Sequence, residues 1–203
     1  MKNGKQVGIM GGTFDPIHNG HLTLAQKAYE QFSLDKILFM PSGNSYMKKN
    51  VLDAQRRAHM VEIAIKDNPA FELSLIEVQR SGNTYTSDTL EILKTNNPDT
   101  HYYFIIGADS LFQIESWKYP KRIFDLATLI CAVRDDYNMD AIKEKAKSLS
   151  KSGAEIVFLD MPKIEISSSN IREWVRHNMP ISEYVPLEIA KYIKEEHLYY
   201  EKD

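Results

Sequence analysis

Five short runs without a charged or polar side chain set the terms for this sequence: Val7-Gly8-Ile9-Met10, Ile37-Leu38-Phe39-Met40, Tyr103-Phe104-Ile105-Ile106, Leu129-Ile130-Cys131-Ala132-Val133 and Ile156-Val157-Phe158-Leu159. A strand with one face in water alternates apolar and polar residues, whereas parallel strands, covered on both faces, read as continuous apolar runs. Between the runs lie helix-like stretches at about 20–32, 54–66, 87–94, 140–150, 169–177 and 186–196. Strand and helix therefore alternate. That order predicts an α/β fold: a doubly wound, Rossmann-like, mostly parallel sheet with helices on both faces, right-handed crossovers, and ligands bound beyond the carboxyl ends of the strands. The segment 71–76 alternates instead, and predicts a strand nearer an edge.

With 203 residues the chain is long enough for one sizeable core and short for two, so a single domain over 1–203 is expected. A net charge of −3 argues against a dedicated nucleic-acid surface, so any anion site must be a local pocket. The one cysteine, Cys131, allows no intrachain disulfide and sits in an apolar run, which marks it as a core residue rather than a nucleophile. The sequence has no signal-peptide core and no stretch of the ~18 apolar residues that a membrane span needs. The expected location is the cytoplasm, with no membrane partner, and a homo-oligomer is left open.

The most informative stretch follows the first apolar run: Gly11-Gly12-Thr13-Phe14-Asp15-Pro16-Ile17-His18-Asn19-Gly20-His21, and then a helical pattern. Glycines at a strand end let the backbone approach a phosphate, and the helix behind them offers unpaired N–H groups and a partial positive charge. His18 and His21, three residues apart, can face the same phosphates if the helix starts near Asn19. The loop is neither the G-x-G-x-x-G fingerprint of dinucleotide enzymes nor a P-loop ending in Lys-Ser/Thr. His-x-x-His could in principle hold a metal with Asp15, but the spacing supplies no third ligand beyond it, and no protein metal site is expected.

These residues resemble the signature of the nucleotidyltransferase superfamily with the (T/H)-x-G-H element, here His18-Asn19-Gly20-His21. Ile166-Ser167-Ser168-Ser169-Asn170-Ile171-Arg172 resembles that superfamily's second, I-S-S-x-x-I-R signature. On physical grounds a serine cluster opening a helix caps it and presents donors to a phosphate, and Arg172 adds a cationic fork. Between the two, Ser81-Gly82-Asn83-Thr84-Tyr85-Thr86-Ser87-Asp88-Thr89 and Ile105-Ile106-Gly107-Ala108-Asp109-Ser110-Leu111, followed by Trp117, resemble elements of the bacterial nicotinate mononucleotide adenylyltransferases. The match runs from residue 7 to about 172. It departs after Pro41, where the family's asparagine, paired prolines and histidine are replaced by Ser42-Gly43-Asn44-Ser45-Tyr46-Met47 and only the basic position survives, as Lys48.

The resemblance implies transfer of AMP from ATP to nicotinate mononucleotide, with Mg2+ carried by the ATP. It implies catalytic roles for His18, His21, Lys48 and Arg172, and ATP contacts at Gly11, Gly12, Thr13, Phe14, Gly107, Asp109, Ser167 and Ser168. Thr86, Tyr85 and Trp117 fall to the acceptor. The residues themselves are compatible: a helix opening at Thr86 favours a carboxylate over an amide, and Trp117 offers a flat apolar surface for a ring. A transferase for another phosphate acceptor, or a nucleotide sensor without chemistry, would share the same phosphate cradle.

Overall fold

The computed structural model describes residues 4–43, 51–133, 138–161 and 166–200. Six strands form one sheet: β1 (Gln6–Gly12), β2 (Lys36–Pro41), β3 (Phe71–Leu73), β4 (His101–Gly107), β5 (Ala127–Val133) and β6 (Ile156–Asp160). Their order is β3-β2-β1-β4-β5-β6 and every pairing is parallel. The apolar runs are the buried centres of these strands. The chain winds outward in one direction from β1 and in the other from β4, so the crevice between their carboxyl ends is the topological switch point. Gly11 and Gly12 close β1 and Gly107 closes β4, which puts the glycines at that crevice.

Among the described residues eight helices cover the sheet: α1 (Asn19–Gln31), α2 (Ala54–Ile65), α3 (Thr86–Asn96), α4 (Ala108–Gln113), α5 (Pro120–Leu126), α6 (Met139–Ser150), α7 (Ser168–Arg176) and α8 (Leu187–Glu195). Two apolar clusters show the double winding. On one face Met10, Phe39, Ile105 and Ile130 pack with Ala25 and Ala28 of α1, Met60 and Val61 of α2, Ile171 of α7 and Ile189 of α8. On the other, Ile9, Phe104, Leu129 and Cys131 pack with Leu90 of α3, Leu111 of α4, Ile123 of α5 and Ile142 of α6. Successive strand residues supply opposite clusters, as the period of two requires. Burial pushes the Cys131 thiol up to about 12, consistent with a core role.

Two expectations change. The strand foreseen over 71–76 stops at Leu73, because the chain coils at once into a turn where Gln79 N–H donates to Leu75 O at 2.9 Å, directing Glu77 inward. The stretch 108–126 folds as α4, a 3-10 turn (Ile114–Ser116) and α5, a pair of helices not foreseen. Their shortness hid them: each is under two turns, too brief for a helical period to emerge.

Candidate active site

The loop between β1 and α1 is shaped by close packing beneath it. A Cβ on Gly11 would lie 3.3 Å from the Phe104 ring, and one on Gly12 3.0 Å from the Phe14 ring. Phe14 itself takes a left-handed backbone (φ 52) and is only 1% exposed. Such a conformation costs a non-glycine residue about 1–3 kcal/mol, which burial of the ring offsets. The Phe14 side chain therefore belongs to the core, and only its backbone could meet ATP. Helix α1 begins at Asn19 with His18 at its N-cap and His21 in the third helical position, a capping-box arrangement. The His18 backbone N–H donates to Nδ1 of His21 at 3.2 Å. Since that nitrogen accepts, the proton of a neutral His21 ring lies on Nε2, leaving a donor on the far edge.

Distant parts of the chain brace this loop from behind. Arg172 Nη1 donates to Asp15 O at 2.7 Å and the Ser168 hydroxyl to Pro16 O at 2.9 Å, so the second signature docks onto the first. Ser167 caps α7 by accepting from Asn170 N–H. The described bonds of these three residues serve the protein's own loop and helix. Tyr199 donates its phenol to Asp15 Oδ1 at 2.7 Å, and burial together with the Asp15 carboxylate drives its pKa upward. Arg57, at the start of α2, is 1% exposed and donates from Nη1 to Thr13 O at 2.7 Å and from Nη2 to Ser42 O at 2.8 Å. Burial lowers its pKa, while Asp15 and Asp53 work the other way.

In front of the loop lies a cleft of about 360 Å³, within the usual range for a small-molecule site. Gly11, Gly12 and Thr13 form one wall; Thr84, Tyr85 and Thr86 another; Trp117 and Lys118 a third. Helix α3 starts at Thr86, a lining residue, so its opening turn borders the cleft. Trp117 stands edge-on to Phe104 at 6.2 Å, and its buried Nε1 has no hydrogen-bond partner among the described residues. Lys118 Nζ lies 4.1 Å above the Tyr85 ring. The glycine loop and the proposed acceptor residues thus share one cleft. His18, His21, Gly107, Asp109, Ser167, Ser168 and Arg172 are not part of its lining. Gly107 and Asp109 sit at the end of β4 and in the first turn of α4, and a Cβ at Gly107 would meet nothing within 4 Å, leaving room above it. Lys48 lies outside the described residues. Among the described residues no three His, Cys, Asp or Glu side chains are grouped to hold a metal ion.

A glycine loop at the switch point stands where open α/β sheets bind their ligands, and comparison with known proteins narrows the class. The cytidylyltransferase-like family model matches residues 9–174. A probable nicotinate-nucleotide adenylyltransferase of Lachnoclostridium phytofermentans is 44% identical over 93% of this chain and 96% of its own length. The chain belongs to the nicotinate-nucleotide adenylyltransferases of the cytidylyltransferase-like family. A further family member, from Clostridium botulinum, is 42% identical over 98% of this chain and the whole of that protein. The Plasmodium falciparum nicotinic acid mononucleotide adenylyltransferase complexed with NaAD shares the fold, with a TM-score of 0.79 at 24% identity over 96% of this chain and 97% of that one. Its complex with APC gives 0.78 at 23%, over the same shares.

Sequence reasoning about this family member missed Arg57, Glu77, Lys118 and Tyr199. Arg57 left a trace: with Met60, Val61 and Ala64 it falls on the apolar stripe of α2, where a charge is out of place unless hydrogen-bonded. Glu77 left none, because it lies just past the segment 71–76 expected to be a strand, in a turn with no motif of its own.

Proposed function

We propose that this protein transfers AMP from ATP to nicotinate mononucleotide, yielding nicotinate adenine dinucleotide and pyrophosphate, in the cytoplasm. The observation that carries the reading is the single cleft shared by Gly11-Gly12-Thr13 and by Tyr85, Thr86 and Trp117, in a chain 44% identical to a probable nicotinate-nucleotide adenylyltransferase. The acceptor's 5′-phosphate, already an anion at neutral pH, attacks the α-phosphorus of ATP in line; one P–O bond forms, the α,β P–O bond breaks, and pyrophosphate carries off the electron pair. No protein nucleophile is needed. The chain's task is to align the reactants and stabilise charge on the phosphate oxygens.

In this reading His21 presents Nε2–H and His18 its ring to the triphosphate, with backbone N–H groups around Gly12 and Thr13 completing the cradle. Arg172 and Lys48 are assigned to the leaving pyrophosphate. Mg2+ enters as part of the ATP substrate, neutralising phosphate charge; it keeps most of its waters and needs few protein carboxylates. The pyridine ring lies on Trp117, and the N–H groups opening α3 at Thr86 take its carboxylate, a pairing an amide cannot match in charge.

The test is pyrophosphate release from ATP and Mg2+ with nicotinate mononucleotide, nicotinamide mononucleotide and phosphopantetheine in turn. Strong preference for the acid supports the reading. Faster turnover with either alternative acceptor rejects it.

A further inference from the structure

The residue with the most complete set of hydrogen bonds in this region is not itself a lining residue of the cleft, yet it bonds to two that are, Thr13 and Ser42. Arg57 sends Nε to Leu52 O at 2.9 Å, Nη1 to Thr13 O at 2.7 Å and to the Ser42 hydroxyl at 3.4 Å, and Nη2 to Ser42 O at 2.8 Å and Gly43 O at 3.3 Å. One buried guanidinium thus ties the phosphate loop to the chain leaving β2. Its planar fork suits several carbonyls at once, which a point-like ammonium cannot serve.

Gly43 is held from its other side by Glu77. That carboxyl, 8% exposed, hydrogen-bonds the Gly43 backbone and accepts from Thr89 Oγ1 at 2.9 Å and from the Thr84 side chain. The fit at Gly43 is tight, since a Cβ there would lie 2.2 Å from Glu77 O and 3.2 Å from Thr84 Cγ2. Thr89 belongs to the first turns of α3, the helix that opens at Thr86, and Arg80 Nη1 reinforces it at 3.1 Å. A continuous buried path therefore runs from Thr13 through Arg57, Gly43 and Glu77 to α3. Its two ends, Thr13 and Thr86, both line the same cleft.

We infer that Arg57, Gly43 and Glu77 form a positioning relay that fixes the separation between the phosphate loop and the acceptor wall, and so couples the binding of ATP to that of the acceptor. The inference rests on the functional reading above. In-line attack demands that the reacting atoms be held about 3–3.5 Å apart, and a misplacement of about 1 Å by a remote change can cost roughly a hundredfold. Arg57 and Gly43 lie outside the cleft lining, so their control acts through position alone, while Glu77 is itself a lining residue.

The experiment uses the full chain carrying Trp174→Phe, so that Trp117 is the remaining tryptophan of the two. Quenching of its fluorescence by nicotinate mononucleotide gives an affinity, measured with and without the Mg2+ complex of α,β-methylene ATP. The ratio of the two affinities is the coupling factor, which must be the same read from either ligand. The parent should show a factor of at least about 3. Arg57→Lys and, separately, Thr89→Val should bring it near unity while the affinity for nicotinate mononucleotide alone changes less than about threefold, and kcat should fall at least about tenfold with each KM at saturating partner rising only by about the lost coupling factor. A parental factor of one, or a folded variant retaining both parental coupling and kcat, overturns the relay. If Arg57→Lys does not fold, the isosteric Thr89→Val, which removes no charge, decides the matter alone. A parent chain that makes no pyrophosphate with this acceptor sinks the functional reading and the relay together, whereas turnover with unchanged coupling removes the relay only.

Discussion

The rings of His18 and His21 stack with their centroids 3.7 Å apart and 23° between their planes. Their spacing at the N-cap and third helical position of α1 makes this contact a product of helix geometry, and the His18 backbone N–H fixes which His21 nitrogen is available. The two imidazoles are in direct contact, so in the proposed role at the triphosphate their contributions are not independent.

His21→Ala and His18→Ala should each lose ~3 kcal/mol of transition-state stabilisation, about a hundredfold in kcat. The double variant should lose much less than the product of the two. His21→Asn is the sharper probe: its side-chain oxygen can still cap α1 by accepting from His18 N–H, but it presents nothing where Nε2 stood. Thermal unfolding should stay near the parent while turnover collapses. Parental turnover in folded His21→Asn would remove His21 from the chemistry.

Tyr199→Phe deletes the donor to Asp15 Oδ1 and leaves a buried carboxylate oxygen without that partner. The expected cost is ~1–3 kcal/mol, lowering the midpoint of thermal unfolding by ~2–10 °C. Calorimetry checks it; an unchanged midpoint contradicts the assigned strength of the contact.

Glu77 makes stability depend on pH. Burial raises its pKa above the ordinary 4.5, against the pull of Thr89, Thr84, Arg80 and Gly43. Between that ordinary value and the raised one the folded protein holds the proton more tightly than the unfolded chain, so this group's contribution to stability falls as pH rises through the window. Glu77→Gln removes the titration. Denaturant unfolding of both proteins at a series of pH values from 4.5 upward should show the stability difference shifting in favour of the variant, then levelling; a difference independent of pH refutes the assignment.

Trp117→Ala should raise KM for the acceptor by roughly tenfold or more, the usual value of ring stacking on an aromatic side chain, with KM for ATP within about twofold. Equal rises in both constants would place Trp117 outside the acceptor subsite.

Cys131 should resist alkylation at pH 8 in the native protein, because burial holds its thiol near 12, and react fully in denaturant. Rapid native labelling would show that the β5 core opens.

The strands were legible because a doubly covered sheet leaves continuous apolarity behind it, and α1, α2 and α6 because each is long enough to show its period. The pair α4 and α5 was not, although Pro120 at the first position of α5 was a start signal. Among the proposed site residues, His18 and His21 could be named from their types and spacing, and Thr86 and Trp117 through the family resemblance. Arg57, Glu77 and Tyr199 could not be placed, because their partners are backbone carbonyls, a glycine and an aspartate brought close only by tertiary folding. A linear pattern holds no record of which carbonyl a guanidinium will meet.

Asp15 is gripped by Arg172 and Tyr199, which are made 157 and 184 positions later. On the ribosome, then, this loop lacks both of those braces until α7 and the segment after α8 have emerged, and a nascent chain halted before α7 would carry both histidines on an unbraced loop.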